Sequence, residues 1–322
     1  MTAGRGTVLA LLLTLLGFAA GAAHAQAFAK PVRIFVGAPP GGTTDTLARA
    51  IAPEMSKALG APVVVENRPG AGGNLAADAV AKSPPDGQTL LVAFTSHTIN
   101  ATLYPKLPFD PVEDFTPITM IATVPSILVG NPALPPKDLR ELIAYAKARP
   151  GKLNFALGGI GSSVHMAGDL LKMRTGLFVV NIPYKGTSPA MADVIGGQVE
   201  LMFVSAVIGI PQVKAGKLRA YGVTSPKRLP QLPEVPAIAE VVPGFESNAW
   251  FGLFGPPRLP AGLTKMLHEA AVRAISSPEL RRRLEAEAAQ PVGDSPEAFA
   301  RFVREDVKRW APVVKFSGAK PE

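Results

Sequence analysis

The sequence predicts an α/β protein built from two lobes with a cleft between them. Its 322 residues are enough for two domains of ordinary size, each with its own hydrophobic core. Segments typical of strands alternate with segments of helical periodicity along the chain. In each half, a strand leads through a glycine-rich loop into a helix, around residues 32–46 and 153–166. Two lobes that present matching loops indicate a cleft.

The first lobe is expected to begin with a βαβαβ unit. A β-branched and aromatic strand over 32–37 leads through a turn to a helix over 44–59, which Pro53 should bend. A strand over 63–65, a glycine-rich turn over 68–73, a helix over 74–81 and a strand over 89–94 follow. In this order the strands run parallel.

The second lobe repeats the alternation before the chain returns to the first. Helices are predicted over 139–148, 164–175 and 189–195, and strands over 153–157, 178–182, 199–203 and 218–224. A strand over 250–254 and helices over 263–276, 278–289 and 296–308 complete the chain, the last two each preceded by a serine cap. We therefore assign residues 26–128 and 250–322 to lobe 1 and residues 129–249 to lobe 2.

Residues 1–25 have the pattern of an export signal peptide. Arg5 precedes an uncharged run over 8–23, and Ala23-His24-Ala25 supplies the small-x-small cleavage motif. We expect cleavage after Ala25 and a mature chain that begins at Gln26 in the periplasm. The alternative is that the segment is retained as a membrane anchor.

Composition excludes several classes of site. The chain has no cysteine, so disulfides, thiolate metal sites and cysteine nucleophiles are absent. The formal charge of +8 does not predict nucleic-acid binding, because the basic residues are scattered among acids. The one basic run, Arg281-Arg282-Arg283, is followed by Glu285 and Glu287 on a predicted helix. A diffuse positive field instead favours the collection of anionic solutes.

The common enzyme motifs are incomplete. Gly159-Ile160-Gly161 begins a dinucleotide fingerprint, but Val164 stands where the third glycine belongs. The stretch 186–190 lacks the final glycine of a nucleophile elbow. The three histidines beyond the signal, His97, His165 and His268, lack metal-ligand spacing. We expect no enzyme activity, no cofactor and no metal, with an exported hydrolase as the weaker alternative.

The two glycine-rich loops are the first candidate site. Each ends in hydroxyl residues that open a helix, where free backbone N–H groups and the helix dipole favour an anion. The alternative is that they are ordinary helix caps with glycine for chain reversal. The residues concerned are Gly41, Gly42, Thr43, Thr44 and Asp45 in lobe 1 and Gly161, Ser162 and Ser163 in lobe 2.

Further polar residues lie beside predicted strand ends, where open α/β sheets bind ligands. Thr95, Ser96, Tyr184 and Ser205 are candidates on this ground. His165 is a candidate because it falls in the first turn of the helix that follows the second loop, although packing or capping would explain it as well. Tyr184 would equally suit a core position.

Several motifs in order resemble one known family, the extracytoplasmic solute-binding receptors of tripartite tricarboxylate transporters, also called TctC-type or Bug proteins. The resemblance covers essentially the whole mature chain. The motifs are Pro39-Pro40-Gly41-Gly42-Thr43-Thr44-Asp45 with Ala48-Arg49, Glu66-Asn67-Arg68-Pro69-Gly70-Ala71-Gly72-Gly73, Pro85-Asp86-Gly87, Gly159-Ile160-Gly161-Ser162-Ser163-Val164-His165, Pro183-Tyr184-Lys185-Gly186-Thr187, Ala215-Gly216-Lys217-Leu218-Arg219 and Leu232-Pro233-Glu234-Val235-Pro236.

The resemblance implies a two-lobed periplasmic binding protein of type II, a Venus flytrap with the ligand in the central cleft. It implies a small carboxylate as ligand, membrane transporter subunits as partners, and a monomer. One carboxylate would be bound by backbone N–H groups of residues 41–44, and the other end by Ser162, Ser163 and neighbouring amides. A ligand-sensing subunit for a membrane signalling partner is the alternative role for the same fold.

One departure from the family pattern concerns selectivity. Many members place an aspartate after the strand at 199–203, whereas this chain has Val204 and then Ser205. If position 204 faces the ligand, valine offers no partner to an ammonium group, and amino acids should bind poorly. The alternative is that Val204 points into the core.

Overall fold

The computed structural model describes residue 28 and residues 30–286 and 288–321, so the expected cleavage site after Ala25 lies outside the described residues. No helix in these ranges is both long and apolar enough to span a bilayer. The strands, in chain order, are β1 Val32–Val36, β2 Val63–Asn67, β3 Thr89–Phe94, β4 Thr116–Val124, β5 Ser126–Gly130, β6 Asn154–Leu157, β7 Val180–Pro183, β8 Leu201–Ser205, β9 Arg219–Val223, β10 Ala249–Gly255 and β11 Gln290–Pro291.

The helices alternate with these strands through most of the chain, and two 3₁₀ turns lie at Ala71–Gly73 and Ile238–Glu240. The helices are α1 Thr43–Leu59, α2 Asn74–Ala81, α3 Ser96–Leu103, α4 Leu139–Lys147, α5 Ser163–Thr175, α6 Thr187–Ile195, α7 Ala206–Lys214, α8 Ala261–Ile275, α9 Pro278–Ala286 and α10 Pro296–Ser317.

The first sheet has the strand order β11-β4-β10-β3-β1-β2. As predicted, β1 runs parallel to β2 and β3, whereas β10 is antiparallel to β3 and β4. Helices cover both faces, so β1 and β3 are buried on both sides, whereas the edge strand β2 is partly exposed. Ile34, Ile51 and Leu267 bring β1, α1 and α8 into one core cluster. The opposite face is packed with aromatic rings, including Trp250 and Phe299.

The second sheet has the order β7-β6-β8-β5-β9, with β6 parallel to β7 and β8 and with β5 antiparallel to β8 and β9. Leu142 and Met166 place α4 and α5 in the core on one side of it. Ala190 and Val194 place α6 in the core cluster on the other. Each sheet with its helices is therefore one lobe of the predicted two-lobed α/β architecture.

The chain crosses between the sheets at two neighbouring points. Pro125 separates β4 in the first sheet from β5 in the second, and residues 247–249 lead back to β10. Thr224 joins the crossings, because its N–H donates to Ser126 O and its carbonyl accepts from Ser247 N. All of β5 lies in the second sheet, so we propose lobe boundaries at 125 and 248 and a hinge at the two crossings.

Helix α10 packs against both lobes. Phe299, near its start, belongs to the aromatic core of the first lobe, and Trp310 and Val313, near its end, belong to the core of the second. The sequence assignment of all residues from 250 onward to lobe 1 does not include this second contact. We propose that α10 limits how far the lobes separate.

His97 is buried among aromatic rings of the first lobe, and this predicts a pH-dependent stability. Its Nε2 lies 2.9 Å from Pro111 O, and Phe109, Phe115 and Phe254 surround the ring. Burial lowers the pKa of His97 from 6.5 to about 4. His97 is therefore protonated near pH 6.5 in the unfolded chain but only near pH 4 in the native protein. Between these values the unfolded chain binds more protons, so acidification favours unfolding.

The contribution of His97 to the free energy of unfolding should fall by about 3 kcal/mol between pH 7 and pH 4. Urea unfolding of the parent and of His97→Gln across this range measures it, since glutamine keeps an N–H donor but does not titrate. We expect the variant to lose less stability on acidification than the parent. Parallel pH profiles for the two proteins would show that His97 is not the responsible group.

Candidate functional site

The first loop ends in an uncapped helix. Gly42 is the N-cap of α1 and provides no side-chain hydrogen bond, and the backbone N–H groups of residues 43–45 have no acceptor among the described residues. Gly41 and Gly42 in front of them are exposed. Gly41 has φ +83°, a conformation that favours glycine. Unpaired amides at the positive end of a helix dipole form an anion site.

Asp45 lies beneath this loop and holds its shape. Its Oδ2 accepts from Gly41 N, and its Oδ1 accepts from Arg49 Nε and Asn67 Nδ2, each at 2.9 Å. Burial acts to raise the pKa of Asp45, but these three donors outweigh burial and hold the pKa below its usual value. Both carboxylate oxygens of Asp45 thus accept hydrogen bonds within the protein. Asp45, which was predicted to contact the ligand, would instead act by holding the shape of the loop.

Arg49 and Asn67 complete the support of the loop, and no role was predicted for either. Asn67 Nδ2 also donates to Ala38 O at 3.0 Å, and Arg49 Nη2 donates to Asn67 Oδ1 at 2.9 Å. Both residues stand in motifs that carry the family resemblance, which was the available signal. Arg49 and Asp45 lie on the same helix, but Asn67 lies on β2, so chain order alone did not reveal the whole network.

The second loop ends in a capped helix. The Ser162 hydroxyl donates to Gly159 O at 2.8 Å and accepts from His165 N at 3.3 Å, so its side chain has the capping role that the sequence left as the alternative. Ser163 follows at the first position of α5, half-buried, and its hydroxyl has no partner among the described residues. The amides of Ser162 and Ser163 and this hydroxyl are the groups that this loop offers to an anion.

The two lobes meet at Ser96 and Gly161. Ser96 Oγ, at the start of α3, donates to Gly161 O in the second loop at 3.2 Å. A Cβ atom on Gly161 would lie 2.5 Å from Leu103 Cδ2 of the first lobe, and Gly161 has φ +73°, so glycine is favoured at this approach. A cavity of about 120 Å³ opens beside the contact, and both lobes contribute to its lining. The lobes therefore enclose a cleft that is nearly closed at this point, and its lining includes Gly161 of the second loop but none of residues 41–45 of the first loop.

The wall of the cavity in the first lobe contains Asn100, which sequence reasoning did not single out. Asn100 is 1% exposed, and its Nδ2 donates to Asn74 Oδ1 at 2.8 Å and to Gly72 O at 3.3 Å. These bonds fix the second glycine-rich turn of the first lobe against α3. Asn100 falls on a helix that the sequence did not predict, which explains the omission.

Three other candidate side chains have partners inside the protein. Thr95 is buried, and its Oγ1 accepts from Trp250 N at 2.9 Å at the crossing between lobes. His165 is 3% exposed and its Nδ1 accepts from Gly161 N. Tyr184 is half-buried, and its hydroxyl donates to Asp193 Oδ2 at 2.7 Å, which raises the pKa of Tyr184. Ser205 differs from these, since its enclosed Oγ has no hydrogen-bond partner among the described residues.

Val204 is completely buried in the core of the second lobe. It belongs to the cluster that contains Ile127 and Met202, and its Cγ1 would lie 2.8 Å from a Cβ on Gly209. Position 204 therefore does not face the ligand, and the alternative of a core position is correct, so the prediction that amino acids bind poorly loses its structural basis. The strand end presents Ser205 instead.

The two loops offer neutral donors, namely backbone amides and the Ser163 hydroxyl. Within the described residues, no group of three histidine or acidic side chains could hold a metal ion. Such donors bind a carboxylate without reacting with it.

Comparison with known proteins identifies the family and the fold. A family model described as the tripartite tricarboxylate transporter family receptor matches residues 47–318. The solved structure of the periplasmic binding protein BugD is 34% identical with a TM-score of 0.77, covering 91% of this chain and 99% of that chain.

Two further solved structures come from Rhodopseudomonas palustris. Rpa4515 with adipate is 36% identical with a TM-score of 0.80, covering 92% of this chain and 99% of that chain. MatC with bound malate is 37% identical with a TM-score of 0.77, covering 89% and 99%. The predicted fold class, a two-lobed periplasmic binding protein, is confirmed.

Proposed function

This chain belongs to the tripartite tricarboxylate transporter receptor family, whose members are periplasmic solute-binding receptors and not enzymes, and we propose that its ligand is a small dicarboxylate held between the lobes. The predicted class of function, a carboxylate receptor for a tripartite transporter, is confirmed at the level of the family. The dicarboxylate and the residues that bind it are the proposal.

The uncapped N-terminus of α1 is the observation that carries the proposal. Three amides without acceptors, an exposed glycine pair and a loop braced by Asp45 form a preorganised receptor for one carboxylate. Each charge-assisted hydrogen bond contributes about 1.5 to 3 kcal/mol net. Four such bonds at the upper end of this range, less an association cost of about 4 kcal/mol, leave about 8 kcal/mol, which corresponds to a dissociation constant of roughly micromolar order.

A second carboxylate suits the opposite side of the cleft. The backbone amides of Ser162 and Ser163 and the Ser163 hydroxyl lie in the loop that meets the first lobe through Gly161. Two structural neighbours are described with adipate and malate, which are dicarboxylates. An acid with two carboxylates would engage both lobes at once and so favour closure. Since Val204 is buried, it gives no reason to exclude an amino group on the ligand.

Calorimetric titration with adipate, malate and the uncharged analogue 1,6-hexanediol tests the proposed ligand class. We expect at least one dicarboxylate to bind with a dissociation constant of roughly micromolar order and the diol not to bind. A tricarboxylate such as citrate should be included, because the family description names that class. Absence of binding by all of these acids at millimolar concentration would contradict the proposal.

We propose that the receptor is exported as a precursor and cleaved after Ala25, and that it works as a monomer that delivers ligand to membrane transporter subunits. Gln26 should be the first residue of the protein in a periplasmic extract, as N-terminal sequencing would show. Replacing Ala25 with a bulky residue, Ala25→Phe, should block cleavage and leave the longer chain in the membrane fraction. Full-length Met1 chain recovered from the parent would contradict cleavage.

A further inference from the structure

A cluster of charged side chains is buried directly behind the second loop. His165, Asp169 and Lys172 lie on successive turns of α5 and are 3%, 1% and 8% exposed. Buried charges are costly unless they are paired, so such a cluster requires a reason to exist. Burial acts to raise the pKa of Asp169, but His165 and Lys172 outweigh burial and hold the pKa below its usual value.

The cluster is connected to the loop through one ring nitrogen. Gly161 N donates to His165 Nδ1 at 3.1 Å. Because a backbone N–H can only donate, Nδ1 carries no proton in this arrangement, and the proton of the neutral ring is on Nε2. Nε2 lies 2.9 Å from Asp169 Oδ2 without hydrogen-bond geometry and 3.3 Å from Asn181 Nδ2, and the negative charge of Asp169 favours the proton on Nε2.

The other side of Asp169 is anchored in turn. Its Oδ1 lies 2.5 Å from Lys172 Nζ and accepts from Asn181 Nδ2 of β7 at 3.1 Å. Lys172 Nζ also donates to Asn181 Oδ1 at 2.9 Å. Helix and strand thus fix the carboxylate, and the carboxylate orients the imidazole.

Gly161 is the residue by which the second loop meets the first lobe. Its carbonyl accepts from Ser96 Oγ, its φ of +73° is one that glycine adopts readily, and it immediately precedes the cap of α5. The hydrogen bond from the Gly161 N–H to His165 Nδ1 therefore restricts the direction of the Gly161 carbonyl and of the free amides that follow.

We propose that His165 is a positioning residue for ligand capture, which holds the Gly161 amide through Nδ1 and thereby aims the second loop at the ligand without contacting the ligand itself. This inference rests on the proposed function of the cleft. In a purely structural ion-pair network, the whole cluster would stabilise the fold. Here the single acceptor atom Nδ1 of His165 determines how the second loop is aimed.

Two amide variants distinguish a positioning role of His165 from a purely structural one. His165→Asn places an amide at the δ position, where its oxygen can replace Nδ1 as the acceptor for Gly161 N. His165→Gln places the amide at the ε position beside Asp169 and leaves Gly161 N without an acceptor. His268→Gln is the matched control, since His268 lies on α8 with Nδ1 3.1 Å from Ile118 O.

The first measurement is amide hydrogen exchange at Gly161 in the ligand-free protein, followed by NMR. We expect exchange at least about tenfold faster in His165→Gln than in the parent, and within about threefold of the parent in His165→Asn and His268→Gln. Equal exchange in both His165 variants would overturn the proposal. This measurement does not depend on the identity of the ligand.

The second measurement is calorimetric titration of the same four proteins with adipate and malate. His165→Gln should bind about tenfold more weakly than the parent, and His165→Asn within about threefold. Equal weakening in both His165 variants, or unchanged affinity despite faster exchange, would overturn a role in capture. If the parent binds neither acid, the proposed function fails, and the exchange measurement still decides whether His165 positions the loop.

Discussion

Replacing Gly42 with valine is expected to weaken dicarboxylate binding by about a hundredfold while the protein still folds. Gly42 has φ −77° and ψ 167°, which any residue adopts, and an added Cβ would contact only Pro39 O at 3.6 Å. The branched side chain would stand beside the free amides of α1 and obstruct a carboxylate. Losing two charge-assisted hydrogen bonds of about 1.5 kcal/mol each corresponds to about a hundredfold in affinity.

Gly262 provides the matched control for this substitution. It lies in the first turn of α8, an element outside the two loops, and among the described residues an added Cβ would meet no atom within 4 Å beyond its own helix. Gly262→Val should leave the affinity for adipate and malate unchanged, as measured by calorimetry. Unchanged affinity in Gly42→Val would remove the first loop from the binding site.

Replacing Trp250 with alanine should lower the free energy of unfolding by about 4 kcal/mol. Trp250 is 1% exposed, packs against Phe254, Phe299 and Phe302, and donates from Nε1 to Asp306 Oδ2 at 2.8 Å. Truncation would leave a large cavity in the aromatic core and remove a donor from a buried carboxylate. Burial raises the pKa of Asp306, so the loss of a donor makes its charge more costly.

Trp250→Phe separates the two contributions, because it keeps an aromatic ring but has no N–H group. Urea unfolding followed by far-ultraviolet circular dichroism should give a loss of about 2 kcal/mol for phenylalanine, between parent and alanine. A loss below about 1 kcal/mol in Trp250→Ala would show that this cluster does not support the first lobe.

The fold was predictable where hydrophobic periodicity agreed with the positions of glycine, proline and capping residues. The helix predicted over 74–81 and the strand predicted over 89–94 have those bounds in the structure, because glycine and proline mark their ends. Pro296 at the first position of α10 and Ser295 as its cap were also read from sequence, and the Ser295 side chain accepts from Ala298 N. Local signals of this kind need no tertiary information.

Elements that depend on distant neighbours were missed. Helix α3 is rich in polar and β-branched residues of low helix propensity, and it is stabilised by packing of Ile99 and Leu103 against the second lobe. Helix α7 contains Gly209 and Pro211, which argue against a helix. Helix α10 continues to Ser317 through Pro312, nine residues beyond its predicted end at 308, since Trp310 and Val313 are buried there.

The candidate site was predictable at the level of its loops but not of its side chains. The free amides of the first loop and the approach of Gly161 follow from glycine placement before a helix. Sequence could not show that Asp45, Thr95 and His165 turn inward, because their partners, among them Asn67, Trp250 and Asp169, come from tertiary contacts. Residues predicted as ligand contacts thus include residues that brace the loops.

A crystal structure of the protein with adipate or malate bound would test the proposed dicarboxylate site directly. We expect one carboxylate within hydrogen-bond distance of the backbone amides of residues 43–45, the other beside Ser163, and the Ser96 to Gly161 contact retained. A dicarboxylate bound outside the cleft, or bound within it with the amides of α1 unengaged, would contradict this site.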